Sequence, residues 1–379
     1  MQHIKQFVIT LCCVFFISVG FAQKTAVEYF ALSTTLKGEK KYAEALIEIK
    51  KAIELNGNSK DYNYQAGWLC NELSKYAEAV PYLKKALSVK DDDANIYIEL
   101  GYALYKLKKY TEAETAFNKA ISYRADFNLS YKYLGDMYYE KSEDKSAAKP
   151  YYLTNFTLMK EKTGLSILYR LGWIYNHENK YDSAIIYLQK GIVKDITSTD
   201  CYNELGYAYY KQEKIRLASE NYITSISYKP TQTTAYTGMG DIKRLKEKQY
   251  DSALYYYKRS VANGTKSASV YYGIGWISNS QKNYDTAIVY LSKAISILPK
   301  YSYAMTELGY SYIKLNNPTL GQQFLNESIA IEVTDANLYY LGLSYVNTKN
   351  KTKALEVLNQ MKQKQFPTAD NLEKLINRM

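Results

Sequence analysis

Tyr271–Pro299 reads YYGIGWISNSQKNYDTAIVYLSKAISILP, and two amphipathic runs lie inside it. Tyr271, Ile274 and Ile277 recur at helical spacing, and a polar break runs from Asn279 to Asn283. Ala287, Ile288, Leu291, Ile295 and Leu298 form the second run. The spacing predicts a helix, a short turn and an antiparallel helix. Small residues at Gly275, Ala287 and Ala294 let the two backbones approach, and larger side chains fill between them. A helix pair this small can bury its apolar face only against neighbours.

The neighbours are in the chain. The glycine recurs as Gly67, Gly101, Gly135, Gly172, Gly206, Gly240, Gly275, Gly309 and Gly342, mostly 34 residues apart, with Ser33 in the first copy. A small-residue column follows, Ala45, Ala79, Ala113, Ala147, Ala184, Ala218, Ala253, Ala287, Gly321 and Ala354. Four residues later stand large side chains: Ile49, Leu83, Phe117, Tyr151, Leu188, Tyr222, Tyr257, Leu291, Leu325 and Leu358.

This pattern resembles the tetratricopeptide repeat family over about residues 26–368, as ten copies in register. The resemblance implies an all-α, right-handed superhelix that serves as an interaction scaffold with no catalytic residues of its own. Departures are local. The closing proline survives only as Pro230 and Pro299, and Lys243 and Ser278 replace an aromatic residue. The reading divides the chain into a targeting segment (1–22), ten repeats (23–368) and a capping helix (369–379). Thr368 is expected to cap that last helix, with Leu372, Leu375, Ile376 and Met379 as its apolar stripe. Repeat four is irregular: Pro150 falls inside its second helix, where a kink is expected, and Lys160–Gly164 reads as a longer turn and flex point.

A second period runs inside the first. After the first copy, the residue following each glycine reads Trp68, Tyr102, Asp136; Trp173, Tyr207, Asp241; Trp276, Tyr310, Leu343. Glu99, Glu204 and Glu307 precede the glycine of the tyrosine repeats by two, and Lys106, Lys211 and Lys314 follow it by five. The tryptophan repeats carry Asn71, Asn176 and Asn279. The chain is therefore a leading repeat (26–59) and three modules of three repeats, 60–164, 165–267 and 268–368. Duplication alone accounts for such a period. The physical alternative is a groove: by the resemblance, these columns face the inner surface, and tryptophan and tyrosine are favoured binding anchors. The expected partner is a protein or peptide, with a glycan or wall polymer as the alternative, since aromatic platforms with carboxylates also suit sugar rings.

Composition bounds the rest. Lys5 followed by the apolar run Phe7–Phe21 and small residues before Gln23 predicts an export signal, too short to span a bilayer at the roughly 20 residues a helix needs. Leu11 before Cys12, and the apolar residues after Cys13, speak against lipidation. The destination is the periplasm or outer cell surface, with no membrane span after cleavage. Removing Lys5 from the net charge of +11 leaves +10, spread over polar helix faces, which in an exported protein does not point to nucleic acid. Cys70 and Cys201 lie four repeats apart and read as lone thiols. Many of the 43 tyrosines occupy core columns, where rings are expected to be buried and hydroxyls wet or paired.

No enzyme chemistry is legible. His177 is the single histidine after the signal, which excludes a multi-histidine metal site and a second base. Gly264-Thr265-Lys266-Ser267 lacks the first glycine of a phosphate loop, which is Arg259 instead. No cofactor is implied. Some members of the family hold carboxylate tails with asparagine and lysine. Here Asp136 follows Lys132, and Glu99, Glu204 and Glu307 fill other required places, so that mode does not carry over. Expressed in a bacterium with two membranes, the protein is expected outside the cytoplasm with Gln23 first. N-terminal sequencing checks this, and a membrane-bound product retaining residues 1–22 overturns it.

Overall fold

The computed structural model describes residues 24–379, so the segment expected to direct export lies outside the described residues. Among the described residues all regular structure is helical, and no helix is long and apolar enough to cross a membrane. Two compact units meet in sequence at Thr163 and Gly164. In the first, helix pairs are α1 (Ala26–Gly38) with α2 (Tyr42–Leu55), α3 (Lys60–Glu72) with α4 (Tyr76–Val89), α5 (Ala94–Lys106) with α6 (Tyr110–Tyr123), and α7 (Asn128–Lys141) with α8 (Lys149–Met159). The second opens with α9 (Leu165–His177) and α10 (Tyr181–Lys194), then α11 (Thr199–Lys211) and α12 (Ile215–Tyr228), then α13 (Thr233–Asp241) and α14 (Tyr250–Ala262). It continues with α15 (Ala268–Ser280) and α16 (Tyr284–Ile297), α17 (Ser302–Lys314) and α18 (Pro318–Ile331), α19 (Asp335–Asn347) and α20 (Lys351–Gln363), and closes with α21 (Ala369–Ile376).

The turn within a pair has its own chemistry, invisible to a search for glycine. At the end of α15, Asn283 N–H donates to the Ser278 carbonyl at 2.8 Å and Lys282 N–H to Asn279 at 2.9 Å. This is a Schellman closure, and it puts Lys282 at φ 63°, in the left-handed region. Lys40, Ser74, Lys108, Asn179, Glu213, Lys248, Asn316 and Lys349 occupy the same conformation in other repeats. None is glycine, so each carries a modest backbone strain that the packed helices on either side hold in place.

Packing follows the columns. A Cβ on Gly275 would lie 2.5 Å from Leu291 Cγ, so only glycine allows this separation of α15 and α16. The buried alanines of the second helices complete the contact. First helices of successive repeats also touch each other, as α3 does α5, α9 does α11 and α15 does α17. Within each unit a second helix instead packs on its own first helix and on the next first helix. First helices thus lie side by side from α3 to α7, from α9 to α13 and from α15 to α19. Cys70 and Cys201 are buried and unpaired, and burial pushes both thiols up to about 11.

Three expectations need correction. Pro150 stands in the first turn of α8, where its missing N–H costs nothing, and a 3-10 turn (Lys145–Ala148) precedes it. That turn shifts the register by one residue. Ala148 and Tyr152, not Ala147 and Tyr151, are buried, and Tyr152 faces Gly135. Repeat seven also has one extra residue, absorbed by a π-turn at Ile242–Lys246. At the C-terminus, Thr368 donates to the Asp335 carboxylate at 2.6 Å instead of capping α21, and Met379 is exposed. Leu372 and Ile376 are buried, and Leu372 fills the space over Gly342.

Asn279, expected in the polar break, is the penultimate residue of α15 and buried. Its Oδ1 accepts from Ser311 Oγ at 2.7 Å. Ala103 and Ala208 stand at Ser311's place in the other modules, and there Asn71 Oδ1 and Asn176 Oδ1 are buried without a partner. Ala103→Ser and Ala208→Ser are therefore expected to stabilise the protein by up to about 1 kcal/mol each, and Ser311→Ala to cost about 1–3 kcal/mol. Chemical denaturation of the three variants measures this.

Candidate functional site

The module columns meet between first helices. Asn279 Nδ2 on α15 donates to Glu307 on α17 twice, to the backbone carbonyl at 3.0 Å and to Oε2 at 2.8 Å. Asn176 binds Glu204 at 3.0 and 2.8 Å, and Asn71 binds Glu99 at 3.0 and 2.7 Å. Asparagine and glutamate, read in the sequence as separate groove columns, are thus one clamp between the first and second repeats of each module. The asparagines lie beneath the surface and position the glutamates.

The glutamates are half-buried. Burial pushes the Glu99, Glu204 and Glu307 carboxyls above their ordinary range, and the asparagine bond only partly opposes it. No ion pair reaches these three carboxylates among the described residues, whereas Asp136 accepts from Lys132 at 2.9 Å.

The aromatic residues form a ladder at a sequence spacing of 26. Tyr42 meets Trp68 edge-on at 5.6 Å between centroids, and Tyr250 meets Trp276 at the same distance. Tyr76–Tyr102, Tyr181–Tyr207 and Tyr284–Tyr310 repeat the edge contact at 5.9, 6.4 and 6.1 Å. The three tryptophans are half-buried, neither core nor fully wetted. Lys106, Lys211 and Lys314 hold their ammonium groups 5.5, 5.8 and 5.4 Å from the rings of Tyr102, Tyr207 and Tyr310. These are weak cation–π contacts with the lysine heads exposed.

The aspartates do something else. The Tyr152 hydroxyl donates to Asp136 Oδ1 at 3.0 Å, and the Tyr257 hydroxyl to Asp241 Oδ1 at 2.6 Å. Both tyrosines fill the glycine column of their repeats, and both repeats carry the extra residue. In repeat ten, which lacks it, Leu343 and Leu358 replace the pair. The aspartate is thus tied to its own repeat's core.

Two cavities open in the second unit. One, of about 280 Å³, is lined by Trp276, Asn279, Tyr284, Glu307, Tyr310, Lys314 and Tyr340, with Ser280 and Lys282. It gathers one residue from each of five sequence columns of the third module. The other, of about 350 Å³, is lined by Thr233, Thr234, Thr237, Thr265, Ser267 and Asp241 with Tyr207, Tyr222 and Gly238. Gly238 stands where the other modules have Tyr133 and Tyr340, rings that pack on Tyr102 and Tyr310 at 5.0 and 4.5 Å. The threonine cluster carries no sequence period, which is why pattern reading missed it.

Family profiles described as "Tetratricopeptide repeat" match residues 64–128 and 98–154, residues 29–59, 165–192 and 268–301, and residues 336–369, together more than half of the chain. A curated Drosophila melanogaster protein, "BBSome complex member BBS4 homolog", is 24% identical over 178 residues, which is 42% of this chain and 35% of that protein. The chain thus spans about a third of that relative's length. Among solved structures, the C-terminal part of a TPR repeat-containing protein from Cytophaga hutchinsonii is 17% identical with a TM-score of 0.46, over 74% of this chain and 99% of that one. PilW, described as a type IV pilus biogenesis factor, is 20% identical with a TM-score of 0.46, over 57% of this chain and 98% of that one.

The clamp has a pH signature. A carboxyl whose folded pKa is raised contributes stability that is fully present below its unfolded pKa, about 4.3, and is lost as pH rises through the folded value. Glu99→Gln, Glu204→Gln and Glu307→Gln keep the asparagine bond and remove the charge. The triple variant is expected to melt a few degrees above the wild type at pH 7 and to show a smaller difference between pH 4 and pH 7. Calorimetry across that range checks it.

Proposed function

Because the chain is a tetratricopeptide-repeat protein, we propose that it is an exported, non-enzymatic scaffold. It holds an extended segment of a protein partner along the first helices of a unit. The observation that carries this reading is the threefold constellation of tryptophan, clamped glutamate, tyrosine and lysine. Each glutamate is half-buried without an ion-pair partner, an arrangement that costs stability. An ionisable group kept at such a cost beside a cleft is a candidate functional residue. Half-buried aromatic rings beside them supply contact area at little entropic cost.

The protein works in the periplasm or at the outer cell surface, delivered by residues 1–22, and the mature chain does not span a membrane. It uses no metal or cofactor. A second reading has its own observation. The cavity of about 350 Å³ is lined by threonine and serine hydroxyls, one carboxylate and two tyrosine rings, a lining that suits a sugar better than a peptide.

Peptide display on the full mature chain, followed by hydrogen exchange on the best ligand, tests the proposal. Protection is expected on α3, α5, α9, α11, α15 and α17, and Trp68→Ala, Trp173→Ala and Trp276→Ala together should weaken binding at least tenfold. Protection confined to second helices overturns it. Retention of wall polysaccharide that is lost in Thr237→Val, with no peptide ligand, favours the sugar reading instead.

A further inference from the structure

The three modules share the clamp but differ in what stands beside it. In the first, the Lys37 ammonium lies 3.9 Å from the centre of the Trp68 ring, close enough to Glu99 for the two charges to influence each other. In the second, the His177 imidazole stacks on Trp173 at 3.5 Å, with Nδ1 2.9 Å from the Trp173 carbonyl, and its field reaches Glu204. The chain thus covers both tryptophans with its own nitrogen base, facing the clamped glutamate.

In the third module this cover is looser and is held away from the glutamate. Ser280 stands at His177's place. Arg244 stands at Lys37's place, 5.7 Å from the Trp276 ring, but its Nε donates to the Tyr257 hydroxyl at 3.1 Å. That hydroxyl in turn donates to Asp241, so the guanidinium is tied to the aspartate–tyrosine pair of its own repeat. Glu307 accepts from Asn279 and no ion pair reaches it among the described residues, and the cavity of about 280 Å³ opens at this place.

We infer that the cavity of the third module takes a single basic side chain, lysine or arginine, from the partner segment. The cation would approach the free side of the Glu307 carboxylate, with its aliphatic stem against Trp276 and the edge of the stacked Tyr310–Tyr340 pair. Aromatic faces and a half-buried carboxylate are what an ammonium or guanidinium needs to leave water. Lys282 and Lys314 at the rim set a second condition. They repel a run of basic residues, as does the net charge of +10 left after removal of Lys5, so the fitting segment carries one isolated basic residue with a neutral or acidic neighbour. The inference rests on the groove reading for the segment, while the cation site itself is testable alone.

The probe is N-acetyl-arginine amide, read by the fluorescence of Trp276 in a full-length Trp68→Phe, Trp173→Phe background. A saturable change is expected, weakened at least tenfold by Glu307→Gln and by Ser280→His, which restores the cover of the second module. Glu356→Gln, at an exposed position of α20 outside the site, should leave it unchanged. Glu307→Gln keeps the acceptor for Asn279, and its melting curve shows that it folds. A response that does not saturate, that survives Glu307→Gln, or that N-acetyl-glutamate amide matches overturns the inference. If peptides bind the first-helix face while the arginine amide does not bind, the cation site falls and the groove reading stands. If the arginine amide binds through Glu307 and no peptide is found, the reverse holds.

Discussion

In repeats two to nine the distance between the two antiparallel helices rests on one missing methyl group. Where Gly275 faces Leu291, any Cβ would fall 2.5 Å from the leucine branch carbon. That separation fixes how the first helix sits on the second, and so how each first helix meets the next. The inter-repeat hydrogen bonds, the aromatic ladder and the cavities all depend on it, because each joins side chains from neighbouring repeats. The side chain over the glycine varies among Leu, Phe and Tyr, and the surroundings adapt to it. Tyr222 and Tyr257 each press on a second glycine in the following repeat, Gly238 and Gly273. Gly238 is also where the threonine-lined cavity opens, so the choice of a core residue in one repeat shapes the surface of the next.

The repeat was legible because close packing leaves a glycine, an alanine and a large residue at fixed spacing, and ten copies make the spacing unmistakable. The periodic columns were also legible, but not their chemistry. Asn71 and Glu99 are 28 residues apart, and only the structure brings them within 2.7 Å. Read singly, each is a polar residue on a helix surface. The register of repeat four misled for a related reason. Ala147 and Ala148 are adjacent and chemically identical, and only the 3-10 turn before α8 decides which is buried. The left-handed turn residues escaped notice because lysine, serine, asparagine and glutamate occupy a conformation for which sequence reading expects glycine.

The site divides along the same line. The tryptophan, tyrosine and lysine columns lie on first helices, the tryptophans half-buried and the lysines exposed. The aspartate column does not belong with them. Asp136 and Asp241 each hold the hydroxyl of a tyrosine that fills a widened repeat, and the aspartate, the tyrosine and the extra residue disappear together in repeat ten. A period in sequence therefore mixes two physical causes here, contact between repeats and accommodation within one.

The clamp also makes the stack uneven along its length. In the second unit it fastens α9 to α11 and α15 to α17, but no such bond fastens α11 to α13. A chain pulled from its ends is then not a uniform spring. The unclamped joints yield first and the clamped pairs travel as blocks, so extension would proceed in steps of unequal size.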